Sequence, residues 1–226
     1  MKKRICIFMI LFSTFLASCT SFSVSISSIS QNNAKPKKVF LAPLDPNINP
    51  NDLLFIEFSN DIKLALGKNG FKVVLDPQSA DQIVFILYGI SDPKTKVVAI
   101  PQFGKTKIKS SSTTGNLQIW NNQGTYRATT TYNYDYGVTG YTYYNQIQYT
   151  RILTLLAIDY KAYLSNSTII QVWQTQIEST GSSGDLRLVF PYLVFAAEKF
   201  IGKNTGRIIQ TEIFENEKGV KIYQEN

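Results

Sequence analysis

What this chain lacks narrows its chemistry before any motif does. Its 226 residues include no His and only two Cys, so zinc sites built from His or Cys, Ser-His-Asp triads, Cys-His pairs and imidazole acid/base catalysis are excluded by composition. Carboxylates, Lys, Tyr, Ser and Thr remain as candidate catalysts. The acids that stand out are Asp61, Asp81, Asp135, Asp159 and Glu178. Glycoside hydrolysis needs two carboxylates about 5 to 9.5 Å apart in one cleft, and nothing in their spacing along the chain gathers them. The expectation is a non-catalytic protein without cofactor or metal.

The first chemically distinctive residue is Cys19. Lys2-Lys3-Arg4 is a positive n-region, Ile5 to Leu16 a short apolar run, and Leu16-Ala17-Ser18-Cys19 closes it with small residues before a cysteine. An apolar run of about 12 residues is too short to cross a bilayer, which needs roughly 20. The expectation is a signal peptide over 1–18 and lipidation of Cys19 as the mature N-terminus. Resemblance to bacterial lipoproteins implies a diacylglycerol on the Cys19 sulfur. Each buried methylene contributes about 0.8 kcal/mol, so two or three acyl chains fix a protein to the membrane where one would not. Thr20 follows the cysteine where enterobacterial lipoproteins kept in the inner membrane have Asp, which favours the periplasmic face of the outer membrane. Cys6 leaves with the leader, so no disulfide is expected.

A second distinctive feature is aromatic. The chain holds 13 Tyr and 14 Phe, and tyrosines crowd the stretch from Tyr126 to Tyr149. Tyr132, Tyr134 and Tyr136 alternate, as residues on one face of a strand do, and Gly137 to Gly140 reads as a turn into a second arm with Tyr141 and Tyr143. These five tyrosines are the candidate partner-binding residues. Tyr gives large contact area and a hydroxyl at low entropic cost, suited to an envelope protein or to stacking on glycan rings. The plainer alternative is that cross-strand aromatic pairs stabilise a long hairpin leaning on the domain.

Two further motifs carry mostly structural expectations. Asp185-Leu-Arg187 could recognise an anion at a helix start, but a capping Asp and an ion-paired Arg explain it as well. Gly202-Lys-Asn204-Thr205-Gly206 is glycine-rich with a lysine, yet it follows a helix where a phosphate loop must precede one, so it reads as a helix stop. The net charge of +7 falls to +4 once Lys2, Lys3 and Arg4 leave with the leader, and without clustered cations on one face no nucleic-acid partner is expected.

These residues need elements to hold them. Thr20 to Lys38 is rich in Ser and Asn and reads as a flexible tether of roughly 20 to 25 Å reach, although Phe22, Val24 and Ile26 alternate with Ser at a strand period and could dock on the domain. Residues 39–42 form a first strand. Asn49-Pro50 opens a helix over 50–67 with Phe55, Phe58, Ile62 and Leu66 on one stripe. Strands over 71–75 and 82–90 follow, then a β-rich insertion over 95–149. Residues 149–161 and 168–178 read as a hairpin, and 185–201 as a helix whose main body starts near Pro191. Segments 208–214 and 220–223 read as a last hairpin. The sum is an α+β fold: a mixed, mainly antiparallel sheet, two principal helices packed on it, and a tyrosine-rich β insertion, all within one domain spanning 39–226.

Tyr149-Thr-Arg151, Trp173, Ser179-Thr-Gly181, Asp185-Leu-Arg187, Pro191, Ala196-Ala197 and Gly202-Lys-Asn204-Thr205-Gly206, in that order, resemble a family of bacterial envelope lipoproteins known as domain of unknown function 4136. The resemblance covers roughly residues 37 to 214. It implies a mixed α/β lipoprotein domain and gives no catalytic residue to carry over. The tyrosine-rich stretch 126–149 and the charged end after Phe214 fall outside what the family leads one to expect. Function is therefore expected to be anchoring to the membrane and binding of another envelope component, a protein held by the tyrosines, with a carboxylate-based hydrolase or binder of envelope glycan as the alternative.

Overall fold

The computed structural model describes residues 21–31, 37–120, 123–214 and 218–224. The expected signal peptide and Cys19 lie outside the described residues. The fold is mixed α/β: eight strands, mostly antiparallel, and four helices. It divides into two compact units, one comprising the chain to Asp92 and from Tyr149 onward, the other Pro93–Gln148.

In the first unit the strands are β1 (Ser21–Ser30), β2 (Lys38–Pro43), β3 (Lys72–Val73), β4 (Gln82–Ile90), the end of β6 (Gln123–Asp159), β7 (Gln171–Gly181) and β8 (Ile209–Phe214), in the order β3-β2-β4-β6-β7-β1-β8. Only the β2 pairings with β3 and β4 are parallel. One sheet face is lined by Val84, Ile86, Leu153, Leu155, Trp173, Ile177, Val24 and Ile26, all buried. Helices α1 (Leu53–Lys68) and α3 (Leu186–Glu198) complete this core. Asp52 starts α1 by accepting from Leu54 N at 2.7 Å, and Gly70 stops it at φ 82°. The apolar stripe of α1 is buried as its spacing demands, each such side chain contributing about 1.5 to 3 kcal/mol. Phe58 stacks on Phe190 of α3 with ring centroids 3.7 Å apart.

Several expectations change. The stretch read as a tether is strand β1, inserted between β7 and β8. The strand period noted there prevails over the serine-rich composition: Val24, Ile26, Ser28 and Ser30 face inward and are buried, while Ser23, Ser25 and Ser27 take the other face. Phe22 stacks on Tyr192 at 4.2 Å. Ser28 earns its inward place through hydrogen bonds. Its hydroxyl lies 2.7 Å from Thr175 Oγ1, 2.9 Å from Phe200 O and 2.8 Å from Lys203 O. Its backbone carbonyl accepts from Thr205 N at 2.9 Å. Residues Ser21–Ser30 thus belong to the sheet of the first unit.

The expected strand over 71–75 shrinks to two residues, and α3 runs through Pro191. Burial of Val189, Phe190, Leu193, Val194 and Ala197 outweighs the hydrogen bond that proline forfeits. The expected last hairpin is replaced: β8 pairs with β1, and residues 218–224 form helix α4. Val220 and Tyr223, three apart, both reach the core as one helical face would. Strands β6 and β7 are antiparallel neighbours, but a short helix, α2 (Tyr160–Asn166), joins them, capped by Asp159 and ended by Ser167 at φ 53°.

The second unit is a single long hairpin. Strand β5 (Lys94–Trp120) pairs antiparallel with β6 from Lys94↔Gln148 to Trp120↔Gln123. The connecting residues 121–122 lie outside the described ones. The turn expected at Gly137–Gly140 lies instead in mid-strand, where Gly104 faces Gly137 and Thr139 is an extra residue between Val138 and Gly140. A Cβ on Gly104 would come 3.1 Å from Thr139 Cγ2 and one on Gly137 3.2 Å from Thr106 Cγ2. The glycines serve close strand approach at an irregular register, a use of glycine that resembles a turn in sequence.

Candidate functional site

Because the expected turn is a bulge, the tyrosines do not sit on facing arms; they line one strand. Directly paired residues share a face of an antiparallel ladder, and a one-residue bulge shifts the alternation by one. Tyr126, Tyr132, Tyr134, Tyr136 and Val138 precede the extra Thr139, and Tyr141, Tyr143 and Ile147 follow it, all on the same side. The β5 residues on that side include Val97, Ala99, Phe103, Ile108, Leu117 and Ile119. Side-chain contacts agree with this assignment. Rings of Tyr132 and Tyr134 are 6.4 Å apart, as are those of Tyr141 and Tyr143. The ring of Tyr126 lies where a Gly115 Cβ would stand, 2.2 Å from its hydroxyl oxygen, so glycine makes room for the aromatic side chain.

The opposite face is polar. Thr114, Asn116, Gln118, Thr125, Arg127 and Thr129 line one shallow hollow on it. Lys107 pairs with Asp135 at 3.7 Å, and Asn133 Nδ2 donates to Ser110 Oγ at 3.2 Å. Among the described side chains, the hairpin carries fourteen exposed large hydrophobics, and twelve are on the tyrosine side; Ile100 and Tyr144 are the exceptions. Tyr136 is 73% exposed, Tyr143 67% and Phe103 74%. The single charge on the aromatic side within the paired positions is Lys105, whose ammonium sits 4.3 Å from the Tyr134 ring centroid. All five sequence-nominated tyrosines therefore fall together. The aliphatic and Phe members of the face were missed, although those of β6 lie at the period of the tyrosines once Thr139 is counted out, and those of β5 keep one period once Thr106 and Lys109 are.

The five candidate carboxylates do not converge. Asp81 bonds Lys161 and Lys38 N, and the lysine's hydrogen bond holds its pKa below the usual value. Asp135 belongs to the hairpin, Asp159 caps α2, and Glu178 is exposed on β7. Asp61 alone has a raised pKa, about 6, through burial and then the charge of Glu57. It shares a pocket of about 280 Å³ with Glu57, Arg187 and Tyr223. Glu57 is held by Arg187 through bonds of 3.1 and 2.9 Å, leaving Asp61 without a second free carboxylate there.

Several of the motif residues singled out in the sequence form a latch. Arg151 is buried at the end of β6, donating from Nε and Nη2 to Ser183 O at 3.1 and 2.6 Å; burial lowers its pKa. A Cβ on Gly181 would meet its Nη1 at 2.6 Å, and one on Gly184 the Tyr149 ring at 2.9 Å. Asp185 then caps α3 by accepting from Arg187 N and Leu188 N. The Gly202–Gly206 loop turns the chain after α3 with both glycines at positive φ and delivers Thr205 to Ser28. Among the described residues no helix is long and apolar enough to cross a membrane.

No family model matches the chain, and no curated protein does. A solved structure, a PDZ domain protein from Parabacteroides distasonis, is similar to it over 86% of this chain at 12% identity and a TM-score of 0.38. The chain spans 39% of that protein's length.

Proposed function

We propose that this is a lipid-anchored, non-catalytic protein of the bacterial envelope, akin to the lipoproteins its motifs resemble, which holds a protein partner in the envelope against the aromatic face of the β5–β6 hairpin. The one-sidedness of that hairpin carries the reading. Soluble monomers rarely expose an apolar patch beyond about 300 to 600 Å², and an isolated two-stranded ribbon is marginal in water. A long ribbon with its hydrophobics sorted to one side is built to be covered. In this reading Cys19 carries the lipid, and because β1 starts at Ser21 the anchor holds the folded domain against the membrane instead of at the end of a tether.

Amine crosslinking of intact envelopes with mass-spectrometric identification tests the docking face. Links from Lys105 and Lys107 to another polypeptide chain are expected, and they should disappear when Tyr132, Tyr136, Tyr141 and Tyr143 are all changed to Ser. Links that persist in that variant, or that arise only from Lys63 and Lys199 of the first unit, would refute it. Palmitate labelling tests the anchor: Cys19→Ala should abolish incorporation.

A further inference from the structure

We infer that the occupant of the aromatic face is a second copy of this chain, two hairpins packing face to face; this rests on the reading of the hairpin as a docking surface. Area is the first argument. Twelve exposed large side chains, at roughly 100 Å² each, offer on the order of 1,200 Å², against about 800 Å² per partner in a stable protein interface. The face meets that requirement alone, with no help from the rest of the chain.

Shape and charge favour a copy of itself. The surface is a two-stranded ribbon, so it fits another apolar ribbon, and a two-fold axis lets each face satisfy its twin. Two polar faces would bring Lys94, Lys96, Lys107 and Arg127 of each copy together with only Asp135 to offset them. Within the paired positions two aromatic faces bring one cation each, Lys105, already over the Tyr134 ring, while Lys109 stands at an unpaired bulge position. Repulsion thus opposes polar-face pairing and is nearly absent from aromatic-face pairing.

The hydroxyls argue for protein over lipid. Besides its tyrosines the face carries Ser111, Thr113 and Thr130 midway along the ribbon, Thr113 and Thr130 bonding each other at 2.9 Å. Hydrocarbon would leave tyrosine hydroxyls without partners at several kcal/mol each, whereas a facing copy supplies acceptors.

The test is photocrosslinking of the full chain in cells expressing two differently tagged copies, with the photoprobe at Tyr136 or Tyr143 on one face and at Gln118 or Thr129 on the other. Tag-to-tag crosslinks from Tyr136 and Tyr143, at least tenfold above those from Gln118 and Thr129, are expected. Crosslinks from Tyr136 to a different protein would overturn the second copy while leaving the docking face intact. No crosslink from the aromatic face, or equal yields from both faces, would overturn both. Sedimentation of the purified chain adds an independent reading: a dimer that Tyr136→Lys weakens at least tenfold is expected, and a monomer at all concentrations would refute the self-pairing.

Discussion

Ser28 shows how a single polar atom can fix an edge of the fold. Its hydroxyl, fully buried, lies within hydrogen-bond distance of Thr175 Oγ1 and of the Phe200 and Lys203 carbonyls, to which it offers its one proton while it can accept from Thr175, so Ser28→Ala should cost about 1 to 3 kcal/mol, the penalty of buried groups left unpaired, measurable by urea denaturation. Asp61 is the converse case. The folded chain keeps its proton to about pH 6, whereas the unfolded chain releases it near 3.8. Stability therefore falls as pH rises through that window and stays reduced above it, by on the order of 2 to 3 kcal/mol. Asp61→Asn should remove this loss, stabilising the protein at pH 8 and leaving it nearly unchanged below pH 4. An equal effect at both pH values would contradict the assignment. Cap and stop residues such as Asp185 and Gly202 were legible from sequence because their roles are local. Arg151 was not readable as a buried latch, since its partner, Ser183 O, is brought to it only by the β6–β7 register.

Elements were legible where one period dominated. The stripe of α1 pointed to the right structure because Phe55, Phe58, Ile62 and Leu66 all face the core, and β4 was readable from its run of β-branched and aromatic residues. Strand β1 and the hairpin were obscured for the same physical reason: a strand needs an apolar residue only at alternate positions, and serine or glycine between them imitates a loop. Ile26→Asp would place an unpaired carboxylate at a fully buried site in β1 and should unfold the first unit, as seen by loss of the cooperative thermal transition; a tether would tolerate it. Replacing residues 94–148 with a two-residue turn should leave the first unit folded with its melting temperature within a few degrees. Ser91 N already bonds Thr150 O at 2.8 Å across the base, so the ends are in place for the shorter connection.

For the whole molecule, the two units divide the labour. The first unit is a packed sheet and helix layer whose buried polar residues are spent on holding strands and loops together. The second exposes its hydrophobics in an order that gives nothing to its own fold beyond cross-strand pairs. Class and mixed topology could be read from the chain; the common face of the tyrosines could not, because the bulge at Thr139 hides it. If Cys19 is acylated, the start of β1 two residues later brings the first unit to the membrane surface, and the envelope is where the aromatic face must be covered.

Hydroxyl-radical footprinting of the tyrosines tests that cover most directly, comparing intact envelopes with the purified chain after Tyr132, Tyr136 and Tyr141 are tracked against Tyr144 on the polar side. The account predicts that Tyr132, Tyr136 and Tyr141 are oxidised at least several-fold more slowly than Tyr144 in envelopes, relative to the same residues in the chain unfolded in urea. Oxidation of all four at equal, unprotected rates in envelopes would contradict it.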